Sequence, residues 1–163
     1  MTALKFYHPK DLSELDYLLD EIQSQFTATA KQSLEKIEER NQSGDFSAYP
    51  ITIFYDEKVV GFFVFDFGED KFDLTENQNS VLIRSLSVNP QFQGKGIGKS
   101  AMIAADHFIK EHFADCKEIV LAVDEKNTSA FQLYLNTGYV YDGKMREGRS
   151  GSQFLMSKKL QNN

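Results

Sequence analysis

Asn89-Pro90-Gln91-Phe92-Gln93-Gly94-Lys95-Gly96-Ile97-Gly98-Lys99-Ser100 is the stretch from which the rest of the chain can be read. Ahead of it, Val81-Leu82-Ile83-Arg84-Ser85-Leu86-Ser87-Val88 is short, mostly apolar and bounded like a buried strand. Behind it, Ala101, Met102, Ala105, Phe108, Ile109 and Phe113 recur at helical spacing. A strand therefore empties into a glycine-rich turn, and the turn opens a helix. Several backbone N–H groups then converge on one spot, with the positive end of the helix dipole behind them. Glycine lets that backbone approach a ligand closely and take dihedrals that a Cβ forbids. A pyrophosphate is the anion expected there.

The letters of the turn separate three phosphate-binding patterns. A Walker A loop ending in Gly98-Lys99-Ser100 needs glycine where Gln93 stands. A dinucleotide fingerprint starting at Gly94 and Gly96 needs its third glycine at Lys99. Gln-x-x-Gly-x-Gly fits, as Gln93, Gly96 and Gly98, preceded by Leu86-Ser87-Val88-Asn89-Pro90. This resembles the acetyl-CoA-binding motif of the GNAT superfamily of N-acetyltransferases. A second signature lies downstream: Asn127-Thr128-Ser129-Ala130-Phe131-Gln132-Leu133-Tyr134, then Gly138-Tyr139. It is similar to the family's N-x-x-A-x-x-x-Y helix and its Gly-aromatic step.

At 163 residues the chain fits one domain with a real core, spanning residues 1–163. No apolar run reaches membrane-spanning length and no signal-peptide pattern opens the sequence. A lone cysteine, Cys116, excludes an internal disulfide and reads as a small packing residue suited to a reducing compartment. A cytoplasmic location is expected. Net charge −6 argues against nucleic acid as the main partner and favours cationic ones. Of the three histidines, His107 and His112 are five apart and point to different sides of their helix, so no metal is expected.

Leu4 to His8 reads as a first strand closed by Pro9. Asp11 is placed to cap a helix whose stripe is Leu12, Leu15, Leu18, Leu19 and Ile22, and Ala30, Leu34 and Ile37 mark a second helix. Residues 51–55 and 59–65 form a hairpin around Asp56-Glu57-Lys58, and 69–76 is an acidic connection. Residues 80–89 feed the glycine turn, 97–114 are its helix, and 118–123 are a strand parallel to 80–89, because a helix crosses between them. A short helix from Asn127 to Thr137 stops at Gly138, and strands at about 139–146 and 153–160 close the chain. This order matches the GNAT topology over nearly the whole length. The fold class is α/β (α+β): a mixed, mostly antiparallel sheet with one parallel pair splayed around the coenzyme site, flanked by helices.

What the resemblance implies for the site is specific. Leu86, Ser87 and Val88 would present backbone groups to acetyl-CoA, the co-substrate. Gln93, Gly94, Lys95, Gly96, Ile97, Gly98 and Lys99 would surround its pyrophosphate. Asn127, Ala130 and Tyr134 share one helical face about 10 Å long. On it Asn127 would bond the pantetheine arm and Tyr134 would lie beside the sulfur. Tyr134 is the catalytic residue expected, since a phenol with pKa near 10 can protonate a leaving thiolate of pKa near 8.5. Many family members carry a glutamate base on the strand before the turn, where this chain has Arg84 and Ser85. Deprotonation of the amine is left to a water chain, or to a carboxylate such as Asp124 or Glu125. Asp124 also reads as a cap for the helix that follows.

The expected reaction is direct transfer of the acetyl group to a primary amine through a tetrahedral intermediate. The acidic 69–76 segment, several phenylalanines and Asp142 point to a small-molecule amine such as a diamine or polyamine. A protein or peptide N-acetyltransferase and a non-catalytic acyl-CoA-binding module are the alternatives. Family habit adds a homodimer.

Overall fold

The computed structural model describes residues 1–161. Among these, seven strands form one sheet in the order β1-β2-β3-β4-β5-β7-β6. They are β1 (Thr2–Phe6), β2 (Ala48–Tyr55), β3 (Lys58–Asp66), β4 (Ser80–Val88), β5 (Glu118–Asp124), β6 (Val140–Gly148) and β7 (Gly151–Lys159). The helices are α1 (Leu12–Leu15), α2 (Glu21–Phe26), α3 (Ala30–Gln42), α4 (Ile97–His112) and α5 (Thr128–Asn136). Only β4 and β5 run parallel, as the crossover helix α4 requires.

Alternation along the strands sorts the core into two layers. On β3, Phe63 and Phe65 pack with Val81, Ile83, Ile119 and α4 on one face. Phe62 and Val64 face the other way, onto Leu15, Ala30 and Ile37 of α1 and α3. The β2–β3 turn is Asp56-Glu57, both at positive φ, a two-residue hairpin whose twist suits the strands. Lys58 therefore belongs to β3 and is not part of the turn.

The N-terminal region departs from its periodicity. In place of one helix with a leucine stripe there are a short 3-10 turn at Pro9–Asp11, α1 and a separate α2. Leu15 is buried but Leu18 is 89 % exposed, and Ile22 is exposed too. Side-chain contacts at Asp11, Tyr17 and Asp20 explain the break. Asp11 does not cap α1; its carboxylate accepts from the His8 N–H at 3.2 Å and from Thr52 Oγ1 at 3.0 Å. Asp20 caps a new helix by accepting from the Gln23 N–H at 2.7 Å. The chain turns between them and lays α2 over the open end of β4.

Candidate active site

β4 and β5 pair only over Ser80–Leu82 and Glu118–Val120, and beyond Leu82 they splay. On its other side β4 carries a bulge. Pairing steps from Phe62↔Ser87 to Val64↔Arg84, so Phe63 faces both Ser85 and Leu86. Ser85 takes a φ of +63°, unusual for a residue with a Cβ. The extra residue reverses the inside–outside order, so that Ser87 reaches Tyr17 (2.6 Å between hydroxyl oxygens) while Leu86 and Val88 pack toward the α4 layer. Burial pushes the Tyr17 phenol up to about 12, against the opposing bond from Ser87.

The splay opens a cleft of about 790 Å³, within the range of small-molecule sites. Its floor is β4 from Ile83 to Val88, and its ends are the glycine turn and α5. Gly94 and Gly96 sit at φ +82° and +73°, and a Cβ on either would meet nothing within 4 Å. They are glycines for backbone conformation, and the space beside them is open. No side chain caps α4, whose first internal bond is Ser100 N–H to the Gly96 carbonyl at 3.0 Å. The N–H groups ahead of Ser100 remain available to an anion. Gly98 has a different duty: a Cβ there would lie 3.0 Å from Leu133 Cδ1, where α4 packs on α5.

Of the residues expected to hold the co-substrate, Leu86, Ser87, Val88, Gln93, Gly94, Gly96, Ile97, Gly98, Lys99, Asn127 and Tyr134 all line this cleft. Lys95 does not; it projects from the turn as an exposed side chain. Asn127 spends its Oδ1 on the Ala130 N–H (3.2 Å) as the cap of α5, leaving its Nδ2 free to donate. Tyr134 is buried, and burial pushes its phenol up to about 12. Its hydroxyl bonds to no protein group among the described residues, although it borders the cleft.

Beyond the splay lies a second cleft of about 600 Å³, walled by α3, the β6–β7 turn and the other face of β4. Ile83, Arg84 and Ser85 of β4, with Ala122 and Asp124 of β5, line both spaces. The two clefts therefore meet between the diverging strands. Asp124 is buried at that junction. It does not cap α5, which Asn127 does; one carboxylate oxygen takes a long 3.4 Å bond from the Lys126 N–H and the other is free of protein partners. Glu125 lines neither cleft.

Sequence reasoning missed Gln23 and Arg40. Gln23 of α2 lies in the first cleft against Val88. Arg40 of α3 reaches the second cleft and clamps Asp66 on β3. Neither belongs to a motif, and a capping aspartate at residue 20 was the one local hint that a helix begins just before Gln23. Cys116 is buried, with its thiol pushed up by burial, in keeping with a packing role. No helix among the described residues is long and apolar enough to cross a membrane.

Comparison with known proteins places these features together. A family model described as "Acetyltransferase (GNAT) family" matches residues 15–139. An uncharacterized N-acetyltransferase of Bacillus subtilis, YbbJ, is 32 % identical over 156 residues, covering 94 % of both chains. A spermine/spermidine N(1)-acetyltransferase of the same organism is 27 % identical over 96 residues, covering 59 % of this chain and 62 % of that one. Among solved structures, the spermidine N-acetyltransferase of Vibrio cholerae in complex with CoA and spermine superposes with a TM-score of 0.71 at 17 % identity, covering 98 % and 95 % of the two chains. AAC(6')-Ib in complex with ribostamycin and coenzyme A reaches 0.77 at 15 % identity, covering 97 % and 93 %. Both superpositions show the same overall fold over nearly the whole chain.

Proposed function

The chain belongs to the GNAT family of acetyl-CoA-dependent N-acetyltransferases, and from that premise we propose that it acetylates the primary amine of a small molecule by direct transfer. One observation carries the reading. A cleft floored by the free end of a splayed strand, with an uncapped helix at one end and an unpartnered tyrosine hydroxyl along its wall, opens between β4 and β5 into a second cleft.

Acetyl-CoA supplies the activated acyl group as a thioester. The α4 N-terminus and the Gly94–Gly96 turn bind its pyrophosphate by N–H groups and dipole. The unpaired edge of β4 and the Asn127 amide hold the amide arm in the manner of a missing strand. Asp124, at the junction, takes the proton from the acceptor ammonium directly or through water, so that a neutral nitrogen forms the new C–N bond. An N–H of the bulged Leu86–Val88 segment stabilises the negative oxygen that develops on the carbonyl. As the C–S bond breaks, Tyr134 gives its proton to the sulfur, and the proton that the nitrogen sheds in becoming an amide returns to the phenolate. The phenol, pushed up to about 12 by burial in the free protein, is protonated at neutral pH and so holds a proton to give.

Small-molecule acceptors fit because the second cleft is walled in by the β6–β7 turn, which Ser150 ties to α2 through the Gln25 carbonyl at 3.3 Å. Among them, a diamine or polyamine draws support from the name of the 27 % identical spermine/spermidine N(1)-acetyltransferase. The acidic segment that argued for it on sequence grounds is partly neutralised, as described below. β6 is one of the two edge strands of the sheet, β1 being the other, and as the edge near the C-terminus it is the strand through which a second copy would pair.

The test is thiol release from acetyl-CoA with diamines, aminoglycosides, amino acids and lysine peptides as acceptors. Release with a small amine, abolished or much slowed in Asp124→Asn, supports the reading. Release with peptides alone would move the assignment to a protein acetyltransferase. Binding of acetyl-CoA without release to any acceptor would leave a binding module.

A further inference from the structure

Each carboxylate of the second cleft takes at least one bond, and Asp66 is paired through both oxygens. Asp66, 1 % exposed, accepts from Arg40 Nη1 at 2.8 Å and Nη2 at 3.0 Å, and from Arg84 Nη1 at 3.2 Å. Asp70 accepts from the same Arg84 nitrogen at 2.8 Å, and Asp73 from Arg146 at 3.4 Å. Glu147 accepts from Ser152 Oγ at 2.7 Å. Asp124 alone keeps an oxygen open at the junction of the two clefts.

The cations are less committed. Arg84 is 43 % exposed at the junction, and only its Nη1 is engaged; Nε and Nη2 have no protein partner among the described residues. Lys36 and Arg149 also line the cleft, with no carboxylate within ion-pair distance among those residues. A guanidinium with a free Nε–Nη2 edge matches a carboxylate or phosphate bidentately. Asp70, Asp73 and Glu147 each keep one oxygen free away from the junction, among the described residues. At the junction itself a second cation beside Asp124 would meet the Arg84 guanidinium, and like charge disfavours it.

Resting on the acetyltransfer reading above, we infer that the acceptor is an amine that also carries an anionic group, a carboxylate or a phosphate, a few bonds from the nitrogen. Asp124 receives the ammonium end and the open edge of Arg84 receives the anion. Arg84 is thus a specificity residue on β4, and the proton-removing carboxylate, Asp124, stands across the splay on β5.

The experiment uses amines of matched length: cadaverine, 5-aminopentanoate and 4-aminobutyl phosphate, with spermidine as the polycation. Thiol release gives kcat/KM for each with the full-length protein, and calorimetry follows acetyl-CoA separately. The expected result is a preference for one of the two anionic amines over cadaverine of about tenfold, the worth of one charge-assisted pair. Arg84→Gln should reduce that ratio about tenfold and Arg84→Lys should restore part of it. Asp66 keeps both Arg40 bonds in these variants, and Arg149→Gln, on an exposed turn, gives a smaller loss with no threat to folding. A preference for cadaverine or spermidine, or a ratio unmoved by Arg84→Gln, overturns this inference while leaving the acetyltransfer reading intact. No release with any amine, despite acetyl-CoA binding, overturns both.

Discussion

Gln23 on α2 acts toward Val88 as a neighbouring strand would: its Nε2 donates to the Val88 carbonyl at 3.1 Å, and its Oε1 accepts from the Val88 N–H at 3.2 Å. Val88 stands opposite Gly61 on β3, yet turns these two groups toward the gap left by the departure of β5. Buried backbone groups need partners, and in the free protein a side-chain amide provides them.

If the amide arm of acetyl-CoA takes the same groups, Gln23 and the co-substrate compete. Gln23→Ala should then bind acetyl-CoA several-fold more tightly by calorimetry, while the free protein loses about 1 kcal/mol of stability. Weaker binding in this variant would mean that Gln23 holds the co-substrate and is not displaced by it.

Tyr134→Phe removes one oxygen from a buried ring that no protein hydrogen bond holds, so folding should be little changed. The kcat should fall about a hundredfold, in line with loss of a general acid. Because burial raises the phenol to about 12, the wild-type rate should show no alkaline decline from this group below that pH. Unchanged turnover in Tyr134→Phe would remove the residue from the chemistry.

Gly96→Ala places a Cβ in open space but at φ +73°, costing about 1–2 kcal/mol or forcing the turn to rearrange. Acetyl-CoA affinity should fall with it. Gly98→Ala stays in helical backbone and asks only that the Leu133 methyl yield a few tenths of an ångström, a cost offset by about 1 kcal/mol of helix propensity. Melting temperatures should rank Gly98→Ala clearly above Gly96→Ala.

Burial by itself would raise the Asp66 carboxyl, but the bonds from Arg40 and the Gly68 N–H, with the charges of Arg40 and Arg84, outweigh it and hold the group below its ordinary value. A carboxylate depressed in the folded state contributes stability above the unfolded-state pKa and loses it as pH falls through the folded one. Denaturant unfolding should therefore show a loss of stability below about pH 4. Asp66→Asn should be less stable by about 2 kcal/mol at neutral pH and should flatten that acid dependence. An unaltered acid profile in the variant would assign the loss to other carboxylates.

The turn Gln93–Gly98 and the helix Asn127–Tyr134 were legible because their information is local. A glycine at positive φ, an uncapped helix start and residues spaced i, i+3, i+7 are properties of a dozen consecutive residues, and the structure places both segments around one cleft. The parallel pairing of β4 with β5 also followed from local order, through the crossover helix between them. The leucine periodicity of residues 12–22 misled for the same reason. It was a local pattern, broken by Asp11 bonding to Thr52, 41 positions away, and by the Tyr17 hydroxyl reaching Ser87, 70 positions away.

Sequence alone determined the family, the glycine turn that opens α4 and the place of Tyr134 on α5. Tertiary structure decided which charges remain free at the second cleft. Arg40 meets Asp66 across 26 residues and Arg84 meets it across 18, contacts set by sheet register and by the bulge at Ser85 and Leu86. A net charge or an acidic run counts carboxylates without knowing which are already paired. Pairing depends on distances of about 3 Å, and only the folded chain fixes those.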